Sequence, residues 1–337
     1  QTSGTTGEPI RWLDTAESWQ WFLDCWKQVL IAAGVEPSDR VFVAFSFGPF
    51  IGFWGGFEAA QQLGTMTLSG GALSTDQRLD HILRYDATVV ICTPTYALHL
   101  AEVAARRGLD LAKSQVRLTV HAGEPGASVP NVRRRLEQAW GARVCDHAGA
   151  TELGAWGLPG DRPDSLRILE SEFIAEVVDP ETGEPVEPDQ GGTLHGELVL
   201  TNLGRIGSPV LRYRTGDIVR LEREPAGHPP EARLDGGIVG RADDMLVIRG
   251  VNVYPSAIEN LVREVPEIVE FQGIVDRSRD LSELTLRIEV QGPEPDEVAE
   301  RLQRLVHERL SLRVPVETVE PGTLPRWELK ARRFTPA

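Results

Sequence analysis

Cysteine is scarce and scattered, with only Cys25, Cys92 and Cys145 among 337 residues. They form no CxxC pair and have no ligand-like histidine spacing beside them, which excludes a disulfide framework and a zinc knuckle. A reducing cytoplasm is the expected compartment. No apolar run approaches the length of a membrane span, and no signal peptide is visible. Excess positive charge is lacking too. The formal net charge is −15 and the pI is about 5.0, so neither nucleic acid nor an anionic membrane is an expected partner. Any anionic ligand must be held by local donors. A Walker loop is also missing, because no GK[ST] follows the glycine- and hydroxyl-rich opening.

What is present is length enough for two or three hydrophobic cores. The chain opens at Gln1 directly inside a motif, so a further N-terminal segment is expected ahead of it. Trp19, Phe22, Leu23, Trp26, Val29 and Leu30 recur at helical spacing up to Gly34. From there short apolar runs alternate with helical patterns. The strands are VFVAF (41–45), TMTL (65–68), ATVVICT (87–93), VRLTV (116–120) and ARVC (142–145). The helices are expected near 48–63, 76–85, 96–106 and 129–140. Such alternation implies parallel β-α units with ligand loops at the strand C-termini. From about Phe173 strand pairs with turns at Thr182-Gly183 and Gly191-Gly192 imply an antiparallel β subdomain.

The stretch 240–255, GRADDMLVIRGVNVYP, reads as a joint, with acidic residues before a strand-like run that a cation and a glycine interrupt. Beyond it come a helix at 256–262, strands VEFQGIVD and LTLRIEV, a helix at 295–310 and the strand PVETVEP. The expected fold class is therefore α/β: a large N-terminal domain of β-α units with an antiparallel β subdomain over 1–240, a hinge at 241–244, and a small mobile C-terminal α+β domain over 245–337.

Five stretches carry candidate chemistry. TSGTTGEP (2–9) leaves backbone N–H groups unobstructed and adds hydroxyl donors, which suits phosphate oxygens and equally suits a flexible linker. In AGATELG, Glu152 beside Thr151 is a hard oxygen donor for Mg²⁺ against a polyphosphate, or else half of a helix-start pair. In YRTGD, Asp217 suits the two hydroxyls of a ribose, or a plain hairpin. Arg241 suits ribose or phosphate, or open solvent. Lys330, in the basic tail PRWELKARRF, suits charge developing on a carboxylate and an α-phosphate, or is a solvated cation.

The order TSGTTGEP, HAGEPGAS, AGATE, YRTGD, GRADDMLVIRGVNVYPSAIE and a late lysine resembles the adenylate-forming superfamily, and within it the phenylacetate–coenzyme A ligase family. The likeness runs through FIAEVVDPETGEPV, GELVLTNL and LRYRTGDIV and spans essentially the whole chain. It implies a two-step ligase with ATP, Mg²⁺ and coenzyme A, in which a carboxylic acid becomes an acyl-adenylate and a rotated small domain then presents it to a thiol. By motif it assigns Thr2, Ser3, Gly4, Thr5, Thr6 and Gly7 to the β- and γ-phosphates, and Gly123, Glu124 and Pro125 to the adenine. Thr151 goes to the α-phosphate, Glu152 to Mg²⁺, Asp217 to the ribose with help from Arg241, Asp243 to the hinge and Lys330 to adenylation.

The chain departs from that pattern at four places. Glu8 stands where the family carries a lysine; Ala148 replaces the aromatic that stacks on adenine, leaving His147 as the alternative grip; Leu329 replaces a glycine; and no cysteines precede the joint. Phe47, Phe50, Phe53 and Trp54, opposite His121, Ala122 and Gly123, suggest a flat apolar slot for an aryl or arylacetic acid, with Gly149 and Trp156 as further walls. The same aromatics equally suit a helix core. Three readings stay open: an aryl–coenzyme A ligase; an adenylating enzyme serving a carrier-protein thiol, amine or hydroxyl; and a non-catalytic nucleotide-binding regulator. A homodimer is a possible assembly.

Overall fold

The computed structural model describes residues 10–48, 51–223, 232–249, 251–276, 282–327 and 331–337. Helix α1 (Ala16–Ala32) begins where the Thr15 hydroxyl accepts the Ser18 N–H at 3.1 Å, a side-chain cap on an otherwise orphan donor. It buries Phe22, Leu23, Trp26, Val29 and Leu30, each contributing roughly 1.5–3 kcal/mol through apolar burial. The alternation then unfolds in order: β1 (Arg40–Val43), α2 (Ile51–Gln62), β2 (Met66–Ser69), α3 (Thr75–Arg84), β3 (Val89–Cys92), α4 (Pro94–Arg106), β4 (Leu118–His121), α5 (Pro130–Trp140) and β5 (Arg143–Asp146). The five strands form a parallel sheet in the order β2-β1-β3-β4-β5. Helix α2 lies so close to α1 that a Cβ on Gly55 would stand 2.3 Å from the Phe22 ring, which is why a helix here tolerates glycine.

Antiparallel pairing starts earlier than the sequence suggested. The strands are β6 (Ala148–Ala150), β7 (Gly154–Pro159), β8 (Ser165–Ile168), β9 (Phe173–Val178), β10 (Leu194–Asn202), β11 (Tyr213–Arg223) and β12 (Ala232–Arg241), in the order β6-β7-β8-β12-β11-β10-β9. Thr151 and Glu152 occupy the turn between β6 and β7, so they do not start a helix. The hydrophobic core of this large body runs from Phe22 to Leu234, and a second core begins at Leu246.

The second core belongs to a small α+β body. It comprises the hairpin β13 (Leu246–Ile248) and β14 (Val251–Val253), α6 (Pro255–Glu264), β15 (Ile268–Asp276), β16 (Glu283–Val290), α7 (Pro295–Leu310), β17 (Val316–Val319) and β18 (Phe334–Pro336). Its sheet runs β17-β16-β15-β18, and β18, in the basic tail, pairs parallel to β15.

The two bodies meet through polar groups. Arg135 on α5 donates to three backbone carbonyls at the end of α6 and just beyond: Nε to Arg263 O at 2.9 Å, Nη2 to Val265 O at 2.5 Å and Nη1 to Ile268 O at 2.9 Å. A cation at a helix C-terminus satisfies orphan acceptors and opposes the macrodipole. Beside it Asn131 donates two hydrogen bonds to Asn260, from N to Oδ1 at 3.1 Å and from Nδ2 to the backbone O at 2.9 Å. Arg326 of the small body lies between its own Glu289 at 2.7 Å and Glu102 of the large body at 3.1 Å. A cavity of about 190 Å³, lined by Thr95, His99, Glu102, Arg135, Glu270 and Arg333 among others, remains between the bodies.

Candidate active site

The C-terminal ends of β4 and β5, where open parallel sheets bind ligands, lead into the loops at Ala122 and His147. The antiparallel sheet brings together four polar side chains. Asp217 and Arg241 are register partners on β11 and β12, and Arg241 Nη1 lies 3.3 Å from Asp217 Oδ1. Arg241 Nη1 also donates to Thr215 O at 3.2 Å, and its Nε meets Asp243 at 2.9 Å. Burial works against the Arg241 charge, but Asp243, Asp217 and Asp244 more than offset it, so its pKa is raised. Gly216 permits the approach: its φ is +75°, and a Cβ there would stand 2.6 Å from Arg241 Nη2. Tyr213 and Glu152 complete the four: burial first, and then the Glu152 carboxylate, push the Tyr213 hydroxyl up to about 12.

The Thr151–Glu152 turn is held from behind. Arg205, whose side chain is fully enclosed, donates from Nη1 to Thr151 O at 2.5 Å and Glu152 O at 3.0 Å, and grips Asp14 through Nε at 2.8 Å and Nη2 at 2.6 Å. One guanidinium thus ties the segment after the glycine-hydroxyl loop to the turn that offers Glu152. Glu197, buried in β10, does the same for YRTGD: it accepts the Gly216 N–H at 3.0 Å and pairs with Arg214 Nε at 2.9 Å. Sequence reading assigned neither residue a role. The signal for Glu197 was an acid inside the otherwise apolar run GELVL; the signal for Arg205 was absent, since its partners lie 191, 54 and 53 residues away.

The other candidate residues divide. Thr2, Ser3, Gly4, Thr5, Thr6, Gly7, Phe50 and Lys330 lie outside the described residues. Phe47 packs edge-on to Trp54 at 4.7 Å and Phe57 at 5.2 Å; Trp54 is 40 % exposed, with Nε1 donating to Gly48 O at 3.1 Å. Trp54 is the exposed member of the group, and Phe47 and Phe57 pack partly against the core. Gly149 is exposed on β6, Ala122 is buried after β4, and Gly123 adopts φ +97°.

His121 and Trp156 belong instead to the core. His121 is fully buried, with Nδ1 3.2 Å from Cys92 O and Nε2 2.9 Å from Thr119 Oγ1, and Trp156 is 1 % exposed on β7. His147 is likewise enclosed, its Nδ1 2.7 Å from Gly157 O and its ring centred 4.3 Å from that of Trp26, so it is placed as a packing residue and not as a grip on a base. Burial pushes both imidazoles down to about 4. Glu124 points away from the strand ends toward the small body, accepting the Thr95 N–H at 3.0 Å and the Ala331 N–H at 2.8 Å. Pro125 is exposed.

Glu152 and Thr151 are hard oxygen donors, and among the described residues no cluster of three or more His, Cys, Asp or Glu forms a metal cage. That donor set fits Mg²⁺ carried largely by substrate phosphates and water, and does not fit a resident structural ion.

The AMP-binding enzyme family matches residues 2–202, and the AMP-binding enzyme C-terminal domain matches 250–336. The chain is 32 % identical to the phenylacetate-coenzyme A ligase of Thermus thermophilus over 97 % of its own length and 77 % of that protein's. It is 34 % identical to the enzyme of the same name from Pseudomonas putida, covering 98 % and 76 %. The chain belongs to the phenylacetate–coenzyme A ligase family of adenylate-forming enzymes. Among solved structures, 2-hydroxyisobutyryl-CoA ligase in its postadenylation state, bound to 2-HIB-AMP, superposes with a TM-score of 0.90 at 29 % identity, covering 100 % of this chain and 73 % of the other. The same ligase in its thioesterification state gives 0.66 at 30 % identity, covering 99 % and 72 %. This family member therefore has its two bodies arranged as in the first of those states.

Proposed function

We propose that this chain is an AMP-forming acid–thiol ligase that activates an aromatic carboxylic acid with ATP and passes the acyl group to coenzyme A. In the first step a carboxylate oxygen attacks the α-phosphorus, the bond to the β-phosphate oxygen breaks, and pyrophosphate leaves. In the second the thiol sulfur attacks the acyl carbon, AMP departs with the carboxyl oxygen, and the thiol proton is released to solvent. Both steps demand positioning and charge stabilisation more than covalent help from the protein.

The observation that carries this reading is the meeting of Asp217, Arg241, Tyr213 and Glu152. Asp217 accepts the ribose hydroxyls, with Arg241 holding its carboxylate in place. Thr151 contacts the α-phosphate, and Glu152 is the protein ligand for Mg²⁺, which when bound neutralises phosphate charge. The loop from Thr2 to Gly7 holds the β- and γ-phosphates, Gly123 and Pro125 border the adenine, and Lys330 offsets charge developing at the reacting carboxylate. Asp243 lies in the turn joining the bodies and acts as the hinge. The edge-on pair of Phe47 and exposed Trp54 supports a flat acid, with Gly149 as a further wall of its pocket. Coenzyme A, and not a carrier-bound thiol, is the acceptor, in keeping with relatives that are named coenzyme A ligases.

ATP–pyrophosphate exchange with a panel of aromatic acids tests the first step, and mass detection of the acyl thioester after adding coenzyme A tests the second. Exchange with none of the acids would reject the reading.

A further inference from the structure

Glu124 lies in the HAGEPGAS loop, whose resemblance assigns it to the nucleotide, yet its carboxylate is committed elsewhere. Oε1 accepts the N–H of Thr95, in the first turn of α4, where a negative charge is favoured by the helix dipole. Oε2 accepts the N–H of Ala331, which follows Lys330 directly in the chain. One carboxylate therefore spans both bodies and fastens the small one at the peptide that carries the lysine. Burial pushes the Glu124 pKa up, while Arg333 and the two N–H donors act against that shift. Arg333 strengthens the same junction, donating to Thr95 Oγ1 at 3.4 Å while pairing with Glu270 at 2.8 Å and Glu259 at 3.1 Å.

We infer that Glu124 is a positioning residue for adenylation: it latches Ala331, the residue that follows Lys330 in the sequence, and so anchors the tail on the large body. The latch exists only while the bodies are arranged as in the postadenylation comparison structure, so rotation to the thioester-forming pose breaks it. Only a carboxylate serves. A glutamine keeps the volume but offers one carbonyl oxygen and turns its NH₂ against the second donor. The inference rests on the proposed ligase activity.

The test uses the full chain with Glu124→Gln and, as a second variant that shortens the reach, Glu124→Asp. Exchange of pyrophosphate into ATP should fall roughly 10- to 100-fold through kcat, with the KM for ATP little changed, because a misplacement of about an ångström has that scale of cost. Acyl transfer from chemically prepared acyl-adenylate to coenzyme A should stay near the unsubstituted rate. On a Lys330→Ala background, Glu124→Gln should add no further loss of exchange, since both act through one ammonium. A raised KM for ATP with slowed transfer would make Glu124 a nucleotide contact, and equal loss of both half-reactions or an additive double variant would make it merely structural; each overturns the latch. If the unsubstituted chain exchanges with no acid, the ligase reading fails. If it exchanges normally and both variants match it, the latch alone fails.

Discussion

Arg241 Nη1 lies 3.3 Å from Asp217 Oδ1, across a strand pair that sets the two residues opposite each other. The same guanidinium meets Asp243 at 2.9 Å, so the acid proposed for the sugar and the residue proposed as hinge share one cation. Arg241→Lys keeps the charge but loses the fork that reaches both acids. The KM for ATP in the exchange reaction should rise about tenfold, equivalent to about 1.4 kcal/mol. An unchanged KM would detach Arg241 from the nucleotide.

Arg205 is the stability counterpart. Its replacement by alanine strands the Asp14 carboxylate and the carbonyls of Thr151 and Glu152 in an enclosed site. Breaking a buried pair costs about 3–5 kcal/mol, and the midpoint of denaturant unfolding should fall accordingly. A change below about 1 kcal/mol would mean that water replaces the guanidinium freely.

Lys330→Ala should abolish most pyrophosphate exchange while leaving transfer from preformed acyl-adenylate intact. Paired loss of both would reduce the lysine to a structural role.

Arg135 belongs only to the present arrangement of the bodies, since its three acceptors are carbonyls of the small body. Burial first, and then Arg263, push its pKa down to about 10, so it stays charged at neutral pH. Arg135→Ala should lower exchange several-fold, about 1 kcal/mol for hydrogen bonds that the other pose never had, and leave or raise the transfer rate. A matched fall in both rates is the result that refutes this.

Acid should weaken the fold through its histidines. His121 and His147 have pKa values near 4 in place of 6.5, so between those limits the unfolded chain takes up protons that the folded chain refuses, and stability falls as pH drops. Asp146, pushed up by burial to about 6 from 3.8, acts oppositely, because the folded form gains its proton first. Two groups outweigh one. His147→Gln, which preserves a donor toward Gly157 O, should show a smaller decline of Tm between pH 7 and 5 than the unsubstituted chain.

Local signals were readable in the sequence where each element declares its own ends. Helix α7 begins at Pro295 and stops at Leu310, as expected, because a proline at the first position and an amphipathic pattern need no distant partner. Strands β6 and β7 escaped notice because AGATELGAWG has no period-two alternation; β7 is buried throughout and so carries none. The tail's basic composition hid β18, since Arg333 is enclosed by Glu259, Glu270 and Thr95, which adjacency in the chain does not reveal. The same limit applied to the candidate site. Asp217 and Glu152 stand in recognisable motifs, whereas Arg205 and Glu197 act through backbone contacts that only folding creates, and His121 and Trp156 are enclosed because the strands that carry them are buried on both faces.

Two arginines at the seam between the bodies own carboxylates on their own side: Arg326 keeps Glu289, and Arg333 keeps Glu270 and Glu259. In the proposed rotation of the small body these two cations would depart with their own counterions, leaving Glu102 and Arg135 as the groups that exchange protein partners for water. A seam proposed to part is thereby stitched with ions whose largest share of pairing stays within one body.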